Sequence, residues 1–231
     1  LLEASHPISD ECTVNATNEQ VKRIYESEPN TLAIVLLSGG GSALYETTQA
    51  YGGQSASPIT LQDLQAANKV LIESGANITE INTVRKHFSQ VKGGRTAQHA
   101  IKSGRISAVV GLYLSDVVGN DLSSVASGPT CPDVTTFADC QAILTKYHIH
   151  DKMPEAIKKH LDAAKEETPK PGDPIFDGKV FNFLIGSADT SAQAAEEFLI
   201  PAGFKSEIFS NKLDGEAAAY GATVPEFIKK R

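Results

Sequence analysis

The sequence predicts an α/β domain with a mostly parallel sheet and helices on both of its faces. Three observations carry that expectation. Three short apolar runs are nearly continuous rather than alternating, the pattern of strands buried on both sides. Amphipathic helical patterns lie between them, and strands alternating with helices build a parallel sheet. Each run also stops at small polar residues, as strands do where a parallel sheet meets its ligand edge.

In chain order, Ala33 to Leu37 reads as the first strand and runs straight into glycines. Thr60-Leu61-Gln62-Asp63 resembles a capping box that opens a helix reaching about Ser74, with Gly75 as its stop. Ile78, Ile81, Val84, Phe88 and Val91 form one apolar stripe at helical spacing, predicting a helix that carries Lys92 to a Gly93-Gly94 break. Ile106 to Leu114 is the second strand and ends at Ser115-Asp116. Thr136 to Tyr147 and Pro154 to Ala164 read as helices, and the proline-rich stretch from Glu166 to Asp177 as a surface loop. Val180 to Ile185 is the third strand and Asp189 to Leu199 a further helix. Ser206 to Phe209 is a shorter strand candidate. No internal repeat and no linker interrupts the chain, so one domain is expected.

Composition narrows the function classes. The chain has 231 residues, 41% of them hydrophobic, which suffices for one sizeable core. Its net charge of −7 gives no global reason to bind nucleic acid or an anionic membrane. No apolar run approaches the roughly 18 residues of a membrane span, and the start, Leu1 to Pro7, lacks the pattern of a signal peptide. Cys12, Cys131 and Cys140 are an odd number without metal-binding spacing, which fits a reducing, cytoplasmic setting. His148, His150 and His160 lack ligand spacing, so no metal is expected there.

Three segments could carry chemistry. Ser38-Gly39-Gly40-Gly41-Ser42 follows a buried strand, and its glycines let the backbone approach a phosphate or carboxylate closely. It is not a Walker A loop, since no Gly-Lys-Ser/Thr follows. It is not a full dinucleotide fingerprint either, because Leu44 stands where the third glycine would fall. The second segment is cationic: residues 80–105 hold six Lys/Arg against the single acid Glu80, within an otherwise acidic chain. Arg85 and Lys92, seven residues apart, are expected on one flank of a helix, with Arg95 just beyond them. Lys86 is expected to point away into solvent. The third segment pairs Ser115-Asp116 at a strand end with Asp121 and with Ser127-Gly128-Pro129-Thr130. Asp116 is placed to hold Mg²⁺ or to accept a hydroxyl proton, and Asp121 is a second oxygen ligand within reach.

Read together, these segments resemble the glycerate 2-kinase family, whose C-terminal portion is the MOFRL domain. The resemblance rests on Leu37-Ser38-Gly39-Gly40-Gly41-Ser42-Ala43-Leu44 and Ser74-Gly75-Ala76, then Glu80-Ile81-Asn82-Thr83-Val84-Arg85-Lys86-His87-Phe88-Ser89 with Lys92-Gly93-Gly94-Arg95. Ser115-Asp116-Val117, Ala126-Ser127-Gly128-Pro129-Thr130 and Thr168-Pro169-Lys170-Pro171-Gly172-Asp173 follow in the family's order.

The resemblance implies a Rossmann-like, three-layer large domain and ATP-dependent phosphorylation of D-glycerate at its 2-hydroxyl, with Mg²⁺. It implies catalytic roles for Asp116, Arg85 and Lys92. Ser38, Gly39, Gly40, Gly41, Ser42, Arg95, Ser115, Ser127, Gly128 and Thr130 would bind substrate or nucleotide, and Asp116 and Asp121 the metal. It also implies further chain at both ends, including a MOFRL domain as partner, and is compatible with a homodimer. On that reading these 231 residues alone are expected to lack kinase activity. Two departures stand out. The family's usual Gly-Asp-Asp reads Gly119-Asn120-Asp121, and Tyr45-Glu46-Thr47-Thr48 replaces the Leu and Pro expected after the glycine loop. The rival readings are a hydroxypyruvate reductase and a non-catalytic ligand-binding domain.

Overall fold

The computed structural model describes residues 2–6, 8–49, 59–210, 212 and 217–229. The elements run α1 (Glu11–Glu26), β1 (Thr31–Leu37), α2 (Gly41–Leu44), α3 (Leu61–Glu73), α4 (Ile78–Phe88), α5 (Arg95–Lys102) and β2 (Ile106–Ser115). They continue with α6 (Phe137–Lys146), α7 (Glu155–Ala163), β3 (Val180–Ser187), α8 (Ala188–Leu199) and α9 (Ala217–Lys229). The three strands form one parallel sheet in the order β1-β2-β3. Parallel pairing brings the carboxyl ends of all three strands to one edge, so Ser38, Asp116 and Asp189 follow their strands at a common side.

Helix boundaries follow local chemistry. Capping boxes open α1 at Asp10 and Thr13, α3 at Thr60 and Asp63, α4 at Asn77 and Glu80, and α6 at Thr136 and Asp139. The stripe beginning at Ile78 does form a helix, but it ends sooner than periodicity predicts. Ser89 turns extended (φ −79°, ψ 147°), and its hydroxyl accepts from the N–H groups of Val91 and Lys92. Lys92 therefore lies beyond α4 rather than on its flank. Val91 is still buried, which is why it continues the apolar stripe without belonging to the helix.

The largest apolar cluster is helical. Leu64, Leu71, Val84, Phe88, Leu144, Ile157 and Leu161 interlock α3, α4, α6 and α7 into one layer. A smaller cluster seats α5 on the sheet through Ala100, Ile106 and Val109, with Ile24 of α1 alongside. The other sheet face differs from expectation. Leu32, Ile34 and Leu36 of β1 are 53–75% exposed, and Phe181, Phe183 and Ile185 of β3 also face solvent among the described residues. Their apolar runs leave one face exposed among the described residues, within the α/β fold of a parallel sheet with helices that the sequence predicts. The segment 206–209 forms no strand. The 166–177 loop is only half a surface feature, since Thr168 is buried and the carbonyl of Pro169 accepts from the N–H of Asp133 at 2.8 Å.

Candidate active site

A cavity of about 690 Å³ opens at the carboxyl edge of the sheet, where the loop after β1, the loop after β2 and helix α4 meet. Gly39, Gly40 and Ser42 line it from the first loop, Asp116, Val117 and Ser124 from the second, and Thr79, Asn82 and Arg85 from α4. The N-terminal segment closes one side with His6 and Ser9, and Asn68 of α3 reaches its rim. The Ser9 hydroxyl donates to the carbonyl of Ala43 at 2.7 Å, and Gln65 donates to the carbonyl of Ser9, tying this segment across α2 to α3.

Close approach explains two of the glycines. A β-carbon on Gly39 would overlap the Asp116 carboxylate, and one on Gly41 would lie 2.5 Å from Cβ of Ala126. The second loop is itself tightly wound. Ala126, Ser127 and Gly128 adopt consecutive left-handed conformations (φ 51°, 61° and 59°), a costly arrangement for the two non-glycine residues. Ser127 is buried, and its hydroxyl meets that of Ser42 at 2.8 Å, locking the two loops together. The carbonyls of Ser127 and Gly128 accept from the N–H groups of Gly93 and Gly94, which anchors the same turn to the segment after α4.

Asp116 is the one carboxylate lining the cavity, and it is exposed there without a side-chain hydrogen-bond partner among the described residues. Arg85 is its cationic counterpart. Its Nε donates to Oδ1 of Asn68 at 2.7 Å, which fixes the guanidinium at the cavity wall. Burial pulls the Arg85 pKa below its ordinary value, and the charge of Glu46 opposes that shift.

The other expected site residues lie behind this wall. Lys92 is fully buried, with its ammonium 2.5 Å from Glu46 and 2.8 Å from the carbonyl of Tyr45, so it pairs inward instead of facing a ligand. Burial lowers its pKa, against the opposing charge of Glu46. The departure at Tyr45-Glu46 thus supplies the partner of Lys92. Lys86 is also buried, opposite Asp133 at 3.4 Å, and not a solvated lysine. Arg95 starts α5, is buried, and donates to the carbonyl of Glu166. The cationic segment is therefore largely neutralised by Glu46, Asp133 and the 166–167 turn, all distant in sequence, and only Arg85 of its cations lines the cavity.

Ser38 precedes the lining residues without joining them. Ser115 is buried and bonds locally to the backbone of Val117. Thr130 sits behind the sheet edge, with its hydroxyl 2.6 Å from that of Tyr113 and 2.7 Å from Asn182. Gly128 packs on Ser123, so it shapes the turn without reaching the cavity. Asp121 spends both carboxylate oxygens on Ser123 and Ser124. Burial pushes its pKa up, but those hydrogen bonds outweigh it and hold the value down. It is not beside Asp116 in the lining, which separates the two carboxylates expected to share a metal. Asn120 donates to Asp189 at 3.0 Å, a link between the β2 loop and α8 that an ionised aspartate in its place would lack.

Several lining residues carried no signal in the sequence. His6, Ser9 and Asn68 arrive from other parts of the chain. Asn82 could have been found one helical turn before Arg85.

A parallel sheet with a cavity at its carboxyl edge, lined by one acid and one arginine, defines an α/β domain with its candidate site where such sheets carry their ligands. The family described as a domain of unknown function (DUF4147) matches residues 1–162. Across the whole chain the sequence is 38% identical to a glycerate 2-kinase of Pyrococcus horikoshii and 36% identical to a D-glycerate 2-kinase of Thermotoga maritima. A protein of Agrobacterium vitis named as a putative hydroxypyruvate reductase is 38% identical over 96% of the chain. The solved structure of the Thermotoga maritima glycerate kinase superimposes with a TM-score of 0.77 over 99% of the chain, at 37% identity. The chain belongs to the glycerate 2-kinase family. It spans about half the length of the relatives it matches, 50% of both kinases.

Proposed function

We propose that this domain takes part in ATP-dependent phosphorylation of D-glycerate at the 2-hydroxyl, giving 2-phosphoglycerate. The observation that carries the reading is the Asp116 carboxylate, unpaired in the cavity among the described residues, set against the backbone of Gly39 and sharing that cavity with Arg85. Phosphoryl transfer asks for positioning and charge compensation more than for covalent chemistry. Arg85, held by Asn68, binds the carboxylate of the acid. Asp116 orients the acceptor hydroxyl and takes its proton. The glycine loop brings backbone N–H groups close to the transferring group, since the first N–H groups of α2 have no intrahelical acceptor.

The residues present also fit Mg²⁺ brought in on the nucleotide. A nucleotide-borne Mg²⁺ needs only one or two protein carboxylates, and Asp116 is the lining acid that meets that need. When bound, the ion would neutralise phosphate charge as it develops. The reductase reading rests on a relative's name, and the glycine loop lacks the third glycine and the ribose-binding acid that such a site uses.

The test uses a polypeptide of the relatives' full length that carries this chain, supplied with D-glycerate and Mg-ATP or with hydroxypyruvate and NADH. ADP release with 2-phosphoglycerate formation supports the kinase. NADH consumption without ADP release refutes it.

A further inference from the structure

Asn82 is a lining residue whose chemistry the roles above leave unused. It lies on α4 one turn before Arg85, is 6% exposed, and lines the cavity. Its Oδ1 is sealed from solvent with no hydrogen-bond partner among the described residues, and none of them pairs with its Nδ2. A buried amide oxygen without a partner opposes folding, because water satisfies it in the unfolded chain. Its neighbours Ile78 and Ile81 show that an apolar residue suits this wall of the cavity. The sealed Oδ1 therefore costs stability, while Nδ2, unpartnered among the described residues and not sealed, is left to donate to a ligand group in the cavity.

We infer that the Asn82 side-chain amide binds the 3-hydroxyl of the three-carbon acid whose carboxylate Arg85 holds, so that the site selects the hydroxylated acid over its deoxy analogue. This rests on the glycerate reading above. Residues three apart on a helix are surface neighbours about 5–6 Å apart at Cβ, a separation suited to the two ends of a three-carbon acid. The assignment to the 3-hydroxyl follows from proton chemistry. The 2-hydroxyl must surrender its proton during transfer, and Asp116 is the base for that. An amide takes up no proton at neutral pH, and its Nδ2 can donate to the oxygen of a spectator hydroxyl that keeps its proton.

The test measures binding of D-glycerate and of D-lactate, which lacks the 3-hydroxyl, to the full-length polypeptide that carries this chain, as wild type and with Asn82→Ala or Asn82→Leu. The wild type should prefer glycerate by about tenfold or more, the scale of one hydrogen bond to an otherwise unpaired buried group. In both variants that ratio should collapse towards one. Asn82→Leu should also unfold at a higher temperature than the wild type, a change opposite to that of losing a structural hydrogen bond. A preference retained in both variants, or equal weakening of both acids, overturns this inference and leaves the kinase reading standing. A full-length wild-type polypeptide that binds neither acid overturns both.

Discussion

Gly39 and Asp116 share one corner of the cavity so closely that a β-carbon on Gly39 would overlap the Asp116 carboxylate. The contact joins the loop after β1 to the loop after β2, and it keeps the acid against the backbone where the transferring group would sit. Gly39→Ala should therefore displace Asp116 and weaken ligand binding about tenfold or more, the scale at which misplaced groups lose a productive geometry. The carboxylate is exposed and free to swing, so the melting temperature should move little. Calorimetric titration with a parallel melting curve checks both halves of this expectation.

Lys92 and Glu46 make the opposite kind of pair, buried behind the cavity wall and absent from its lining. Removing one partner strands a charge, so Lys92→Met should destabilise the fold by about 3 kcal/mol or more. Combining Lys92→Met with Glu46→Leu should recover much of that loss. Urea denaturation of the two single variants and the double variant measures the coupling. An undisturbed midpoint in Lys92→Met would return Lys92 to the list of ligand-binding groups.

Arg85 depends on Asn68 for its direction. Asn68→Ala should weaken acid binding less than Arg85→Ala does, because it frees the guanidinium without removing its charge. Arg85→Lys should not restore binding fully, since a lysine lacks the planar fork. Binding constants for D-glycerate across the three variants give that order directly.

Glu80 links the start of α4 to the end of α6. Its carboxylate accepts from Lys146 at 2.6 Å and from Tyr147 at 2.7 Å, and these bonds, Lys146 first, hold its pKa down to about 2. A carboxyl depressed in the folded state stabilises fully above its unfolded pKa, which is 4.5, and loses that contribution as pH falls towards 2. Stability should thus decline between those values, and Glu80→Gln should flatten that part of the profile. Urea midpoints of both proteins at several acidic pH values test it.

Much of the fold is legible in the sequence because it is written locally. The helix starts at Thr60 and Thr136 are capping chemistry within four residues, and the strand ends at Leu37 and Ser115 are set by the small polar residues that follow. What was not legible depends on partners far along the chain. Lys92 reads as a ligand-facing cation until Glu46 is folded against it, and Lys86 reads as solvated until Asp133 arrives. The apolar run of β1 reads as buried on both faces, although Leu36 is 75% exposed, since a hydrophobic run reports a residue's preference and not its neighbours. Gly39, Ser42, Arg85 and Asp116, which their residue types single out in the sequence, do line the cavity. Asn82, His6 and Asn68 line it too without standing out in the sequence, because asparagine and histidine have many bland uses.

If the cavity holding Arg85 and Asp116 is a D-glycerate site, calorimetric titration of D-glycerate into the full-length polypeptide, as wild type and as Arg85→Ala, reads it out. The wild type should give saturable heat, with an affinity that Arg85→Ala weakens by about tenfold or more, as expected for losing a charged hydrogen-bonding partner. Heat that is equal in the two proteins, or absent from the wild type, would contradict it.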